Sequence, residues 1–478
     1  MNSKWLPINE IAEKVNNGSL RAADLVDQAL KTIEQNTEYN AIIVTTADRA
    51  RERASQIDKL IKSGSNAGML AGVPFIAKDN FLVFGSETTA ASNILKGFNA
   101  PYQATVIEKL EAAGAICVAK ANLDAFGHGG STENSDFGPT LNPHDKTKVP
   151  GGSSGGSAAA VVLDMAPFAL GTDTGGSSRQ PASFSGCVGY KPTYGLMSRS
   201  GVIAMASSTD TVGVLGRGVS DVAYVTECIS GKDPLDSTTI ESDPAGYIID
   251  KPIKDLKGIK IGLVSEYMTD GVDEGVKNSI KDTAKKLESL GAEVIPVSIP
   301  SLSLALAVYY ILVPAEISSN LSRYDGQRFG YSDPNAKDLD ESYTNSRTRG
   351  FGKEAKRRIM IGTHVLSSGY YEAYYKKAQL VRTKIIKEVQ KTFQSVDYLI
   401  GPAAPTTAFE LGSSTQDPLQ MYLADIMTVG ASLTGIPAIV IPAGNISGMP
   451  VGLQIMSPQK SDKSLLEVAQ LAQKEINK

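Results

Sequence analysis

Two stretches of the 478-residue sequence are almost pure glycine and serine: GGSSGGS at 151–157 and GGSS at 175–178. Such runs usually behave as flexible linkers. The first, however, is followed at once by AAAVVLDMAPFAL, a small, apolar segment suited to a packed interior. Three chemistries compete with the linker. Glycine-rich loops before helices bind phosphate, but a P-loop needs GxxxxGK[ST], and no lysine follows these glycines. Residues 151–155 satisfy GxSxG, the nucleophile-elbow pattern, which needs a histidine late in the chain. Of His128, His144 and His364, only His364 lies downstream, inside the helical pattern RRIMIGTHV. The third chemistry is a serine nucleophile served by a lysine. It needs backbone donors for an oxyanion, a serine, and a relay to a neutral amine. GTDTGGSSRQP supplies the donors and the serine, and Lys78, closing the apolar GVPFIAKDN, is the candidate amine. An ordinary lysine, with a pKa of about 10.4, holds its proton at pH 7 by roughly 4–5 kcal/mol. Burial would have to remove much of that.

The elements that must position these residues follow from periodicity. Residues 7–60 read as helices, INEIAEKVNNG then LRAADLVDQALKTIEQN, with apolar residues at i, i+3 and i+4. From about residue 70, short apolar strands alternate with helices. AGVPFIAKD, ATVIEKLEAAGA and ICVAKAN form a βαβ-like unit, SAAAVVLDM leads into PFALGTDT, and IKIGLV and AEVIPVSI flank a helix near 273–290. The alternation predicts an α/β fold, a largely parallel sheet with helices on both faces. Residues 300–395 read as helix-rich, strands return in DYLIGPAA, PAIVIPA and VGLQIM, and SLLEVAQLAQKEI closes as a helix. No low-complexity linker divides the chain. The expectation is one domain over 1–478, with N-terminal helices at 1–65, a core at about 66–230 and a helix-rich insertion at about 300–395.

Composition narrows the partners. Net charge is −4 and the sequence pI is near 5.7, so no electrostatic footprint for nucleic acid or an anionic membrane is visible. Cys117, Cys187 and Cys228 lie far apart without zinc-like spacing, which favours a reducing compartment over a disulfide framework. The N-terminus has no apolar core of a presequence, and no apolar run in the sequence approaches the length of a membrane span. The expectation is a cytoplasmic protein without a membrane.

KDN, PGGSSGGSAAA and GTDTGGSSRQPASFSGCVGYKPTYG together resemble the amidase signature family. The separations match its lysine, bridging serine and nucleophile: 75 residues from Lys78 to Ser153 and 24 from Ser153 to Ser177. The resemblance implies a large mixed, mostly parallel β-sheet covered by helices. It also implies Ser177 as nucleophile, Ser153 on a cis peptide as bridging serine, and Lys78 as base. The N–H groups of Thr174, Gly175, Gly176 and Ser177 would form the oxyanion hole. Further segments, among them GFGKEAKRRIMIGTHVLSSGYYEAYYKKAQLVR and MYLADIMTVGASLTGIPAIVIPAG, are similar to the A-subunit family of the tRNA-dependent amidotransferases.

That similarity implies a glutaminase supplying ammonia to convert Glu-tRNA(Gln) to Gln-tRNA(Gln), within a heterotrimer with B and C subunits. ATP and Mg²⁺ would belong to the partner, which would also bind most of the tRNA, and this chain would hold no cofactor or metal. An arginine of the KRRIM helix would meet the α-carboxylate of glutamine and the aspartate of YxxDIxT its α-ammonium. These fall on Arg358, with Arg357 as the alternative, and on Asp425; Tyr309 would join them. A zwitterion does call for one fixed cation and one fixed anion, and arginine grips a carboxylate bidentately. The chain departs from the usual DEFAMGSSTEN, reading DAFGHGGSTEN from Asp124, so His128 stands for methionine and Gly130 for serine. Ser178 stands where isoleucine is common. A free-standing amidase and a silent scaffold are the alternatives. The first has no need of the Arg358/Asp425 pair, and the second has no need of Lys78, Ser153 and Ser177 together.

Overall fold

Apolar residues at helical spacing build α1 (Ile8–Asn16), which buries Ile8, Ile11, Ala12 and Val15, and α2 (Ala22–Glu34), which buries Leu25, Val26, Ala29 and Ile33. The computed structural model describes residues 4–413 and 422–478, so residues 1–3 of the expected helical N-terminal region, and 414–421, lie outside it. That region is also not wholly helical. Ile42–Thr45 forms β1 before helix resumes as α3 (Ala47–Lys62). All four β1 residues are β-branched, a composition that suits a pleated edge better than a helix.

The βαβ unit consists of β2 (Pro74–Lys78), α4 (Thr105–Ala112) and β3 (Ile116–Ala121). Then α5 (Gly155–Val162) leads into β4 (Phe168–Asp173). β2, β3 and β4 are buried at every position, as strands covered on both faces must be. There follow α6 (Arg179–Ser185), β5 (Val188–Lys191), β6 (Thr211–Gly216) and α7 (Val219–Ile229). Next come β7 (Lys260–Val264), α8 (Glu274–Ser289) and β8 (Glu293–Val297), α8 being capped by Asp273, which accepts the Val276 N–H at 3.1 Å.

The helix-rich stretch holds α9 (Ala305–Asn320), α10 (Leu339–Gly350), α11 (Lys353–Leu366), a π-helical turn at Tyr371–Lys376 and α12 (Lys377–Thr392). The helical stretch Pro300–Arg323, which contains α9, is long and apolar enough to cross a membrane by composition. This corrects the expectation that no run approaches that length. Its most apolar window is 56% buried within the protein, because the same residues are needed to cover α11 and the core. The chain ends with β9 (Tyr398–Pro402), α13 (Val429–Thr434), β10 (Ala438–Ile446), β11 (Met449–Met456) and α14 (Asp462–Ile476).

The strands form an eleven-stranded sheet in the order β1-β3-β2-β4-β6-β5-β10-β11-β9-β7-β8. Helices cover both faces. Gly213 of β6 abuts Ser178 at the start of α6, whereas Gly216, three residues along the same strand and so on the opposite face, abuts Val222 of α7. The α/β class is the expected one, but the strand balance differs. Among the described residues four pairings are parallel and six antiparallel. Direct reversals account for part of this. β10 and β11 are joined by Ser447 and Gly448 at φ +51° and +86°, the two left-handed residues of a type I′ hairpin turn. At one end of the sheet β8 pairs, among the described residues, with β7 alone and carries Pro296, which has no N–H to offer a further strand.

Candidate active site

β2 delivers Lys78 into the interior, where its side chain is fully buried. Its Nζ donates to Ser153 Oγ at 2.8 Å, Ser154 Oγ at 2.9 Å and Thr172 Oγ1 at 2.9 Å. Burial pushes the Lys78 amine down to about 7, against the opposing pull of Asp124, Asp173 and Asp210. An amine so poised exchanges a proton with a neighbouring hydroxyl near neutral pH. The first glycine/serine run brings Ser153 to it, and the Gly152–Ser153 peptide is cis. Gly152 is required by close approach: a Cβ there would lie 2.2 Å from Asp124 Oδ2 and 2.6 Å from the Ser131 nitrogen. Asp124 is itself pinned, accepting the N–H groups of Thr132 at 2.8 Å and Asn134 at 3.1 Å.

β4 leaves the sheet at Asp173 and turns through Thr174–Ser178 into α6. Gly176 makes the turn at φ +154°, and a Cβ on it would lie 2.1 Å from Thr428 Oγ1. The turn leaves Ser177 8% exposed, with a hydroxyl that has no hydrogen-bond partner among the described residues. The chain from Lys78 to Ser153 is therefore closed and the step to Ser177 open; such bonds commonly tighten only with substrate bound. The main-chain N–H groups of Gly175, Gly176 and Ser177 likewise meet no acceptor among the described residues. Idle donors beside a serine suit a developing oxyanion. The Thr174 hydroxyl donates to Asp210 at 2.7 Å. Underneath, the fully buried Arg179 pairs with Asp173 at 2.8 Å, and its Nη1 donates to the Thr428 carbonyl at 2.9 Å and Gln454 Oε1 at 2.6 Å. Burial would raise the Asp173 carboxyl, but Arg179 holds it below its usual value.

α11 turns Arg358 inward, its side chain 2% exposed, and leaves that of Arg357 43% exposed. Arg358 Nε donates to Glu354 Oε1 at 2.8 Å, one helical turn away, and Arg357 also pairs with Glu354. The Arg358 guanidinium lies 5.3 Å from the Tyr310 ring and 5.7 Å from the Tyr422 ring. Asp425 is buried nearby, and burial pushes its carboxyl up to about 7 despite the pull of Arg358. The Tyr310 hydroxyl donates to it at 3.4 Å. No ion pair joins Arg358 to Asp425 among the described residues, so a buried cation and a buried anion flank the same tyrosine unmatched to each other. Tyr309 packs on Gly175, where a Cβ would lie 2.6 Å from its Cζ. Thr428, which fills the space beside Gly176, donates its N–H and Oγ1 to the Asp425 carbonyl, each at 3.0 Å. The charged pair is thus built onto the loop that carries Ser177. Met421, in the same stretch as Asp425, lies outside the described residues.

Several members of the site are not marked out by the sequence. Ser154 and Thr172 complete the surroundings of Lys78, and both sit inside the motifs quoted above. Glu354 precedes Arg358 by four residues, a legible helical pairing. Tyr310 carries no pattern of its own, whereas Tyr422 is the tyrosine of YxxDIxT. The arrangement can deprotonate a serine through a neutral amine, hold an oxyanion, and bind a molecule bearing both charges.

A family model described as Amidase matches residues 24–466. The A subunit of the glutamyl-tRNA(Gln) amidotransferase of Caldanaerobacter subterraneus subsp. tengcongensis is 48% identical over 465 residues, covering 97% of this chain and 95% of that protein. Its namesake from Macrococcus caseolyticus is 46% identical over 472 residues, 98% of this chain and 97% of the other. The crystal structure of the corresponding glutamyl-tRNA(Gln) amidotransferase A subunit from Thermotoga maritima matches with a TM-score of 0.79 at 38% identity, covering 98% of this chain and 94% of that one.

Proposed function

The chain belongs to the amidase family, and from that premise we propose that it is the glutamine-hydrolysing A subunit of a glutamyl-tRNA(Gln) amidotransferase. The observation that carries the substrate is the buried, mutually unpaired Arg358 and Asp425 beside the Ser177 loop. Free glutamine presents a carboxylate and an ammonium at one end and a neutral amide at the other. Arg358 takes the carboxylate, Asp425 the ammonium, and Tyr309 closes the side of the pocket against Gly175. Ser177 Oγ attacks the side-chain amide carbon while Ser153 takes its proton and passes one to Lys78. The N–H groups of Thr174, Gly175, Gly176 and Ser177 hold the oxyanion. The proton returns to the leaving nitrogen, ammonia departs, and water hydrolyses the glutamyl ester to glutamate.

The ammonia then serves a B subunit that binds most of the tRNA and uses ATP with Mg²⁺ to activate the glutamyl group. A C subunit completes a cytoplasmic heterotrimer. The net charge of −4 is consistent with tRNA being held elsewhere.

The test is kcat/KM for glutamine and for its analogues lacking the α-carboxylate or the α-amine, on wild type, Arg358→Ala and Asp425→Ala. Each substitution should cost about 2–5 kcal/mol on glutamine and little on the analogue already lacking its partner group. Equal losses on all three substrates would assign the two charges to structure. Wild-type preference for a simple aliphatic amide over glutamine would make the chain a free-standing amidase.

A further inference from the structure

His128 is used by neither the serine–lysine relay nor the charged pair, yet its neighbours in the chain and in the core reach towards both. Its side chain is 1% exposed, and both ring nitrogens lack a hydrogen-bond partner among the described residues. A buried imidazole without partners is costly, and native structures seldom keep one unless something else satisfies it. Its placement says what that is. A Cβ on the preceding residue, Gly127, would lie 3.5 Å from Ser153 Oγ, so the backbone here runs close beside the relay. The His128 ring lies 6.0 Å from that of Phe126, which packs 5.6 Å from Phe351, two residues before α11 begins. α11 carries Arg358, whose Nη groups have no protein partner among the described residues because only Nε is spent on Glu354. Burial, followed by the positive charge of Arg358, drives the imidazole well below its ordinary pKa, so it is neutral and has one N–H to give.

We propose that His128 is a specificity-determining residue that donates its free imidazole N–H to the α-carboxylate of the substrate, alongside the Nη groups of Arg358. The inference rests on the glutamine reading above. A carboxylate has acceptor sites for both donors, and a neutral ring shares it with a guanidinium without like-charge repulsion.

The test uses the complete chain, in whatever assembly it purifies, as wild type, His128→Met, His128→Gln and Arg358→Ala. Steady-state rates are measured on glutamine and on 4-aminobutanamide, which lacks the α-carboxylate. His128→Met should raise KM for glutamine roughly ten- to hundredfold, the effect of losing a hydrogen bond to a charged group, with little change in kcat. It should leave the rate on 4-aminobutanamide at the wild-type level. His128→Gln, which keeps an N–H donor, should recover part of the glutamine KM and guards against a folding defect in the apolar variant. An unchanged glutamine KM in His128→Met, or equal losses on both substrates, would overturn the role of His128. If Arg358→Ala abolishes the preference for glutamine while His128→Met keeps it, this inference falls and the glutamine reading stands. If wild type shows no preference for glutamine, that reading falls first.

Discussion

Three hydroxyls surround Lys78, and Ser153 is the one proposed to link it to Ser177, so single deletions should separate the roles of the serines. Ser177→Ala should abolish glutamine hydrolysis yet leave amidation with added ammonium intact, because only ammonia production uses that oxygen. Residual glutaminase activity in the variant would remove Ser177 from its role. Two groups at this scale also share a pH range. Burial places both the Lys78 amine and the Asp425 carboxyl at about 7. Below that value Lys78 is protonated and cannot take a proton, and Asp425 is neutral and cannot hold an ammonium. Both changes lower kcat/KM for glutamine as pH falls. The acid limb on a logarithmic plot should therefore approach a slope of about two with glutamine and about one with the analogue lacking the α-amine. Identical limbs would mean that Asp425 does not meet the amine.

At the scale of elements, one buried arginine ties the loop that carries Ser177 to the rest. Arg179 binds Asp173 at the end of β4, the Thr428 carbonyl before α13, Ser432 within α13 and Gln454 in β11. Asp173→Asn leaves that guanidinium buried without its counter-charge and should cost about 3–5 kcal/mol, read as a fall in the denaturation midpoint. An unchanged midpoint would show that the loop is held by its other contacts. This tie is invisible in the sequence, because Asp173 and Arg179 are six residues apart but Gln454 is 275 residues from Arg179. What is legible is local. The run SAAAVVLDM into PFALGTDT specifies α5 and β4, and Glu354–Arg358 obeys helical spacing. β1 escapes a periodicity reading because its four β-branched residues sit between two longer helices. The antiparallel majority escapes it because alternating strands and helices suggest crossovers, while the Ser447–Gly448 turn between β10 and β11 occupies only two residues. Lys78, Ser153 and Ser177 are identifiable as a set by resemblance. Their partners Ser154 and Thr172 need three-dimensional proximity.

At the scale of the molecule, the acidic balance makes a prediction of its own. The purified chain alone should give no tRNA shift in native gels at physiological salt, and binding should appear only when its partner chains are added. A tight shift by the chain alone would relocate the tRNA site. The sheet has a consequence of another kind. Among the described residues the eleven-stranded sheet does not close and so has two open borders, each a template on which a second chain could add a strand. One border is β1, four residues long; the other is β8, five residues long, with Glu293 at its start and Pro296 near its end. Brevity at one border and a missing donor at the other deny an incoming strand a continuous row of partners. So large a sheet can therefore stay discrete at the concentrations of a working cell, and Pro296→Val is the change that would invite end-to-end association.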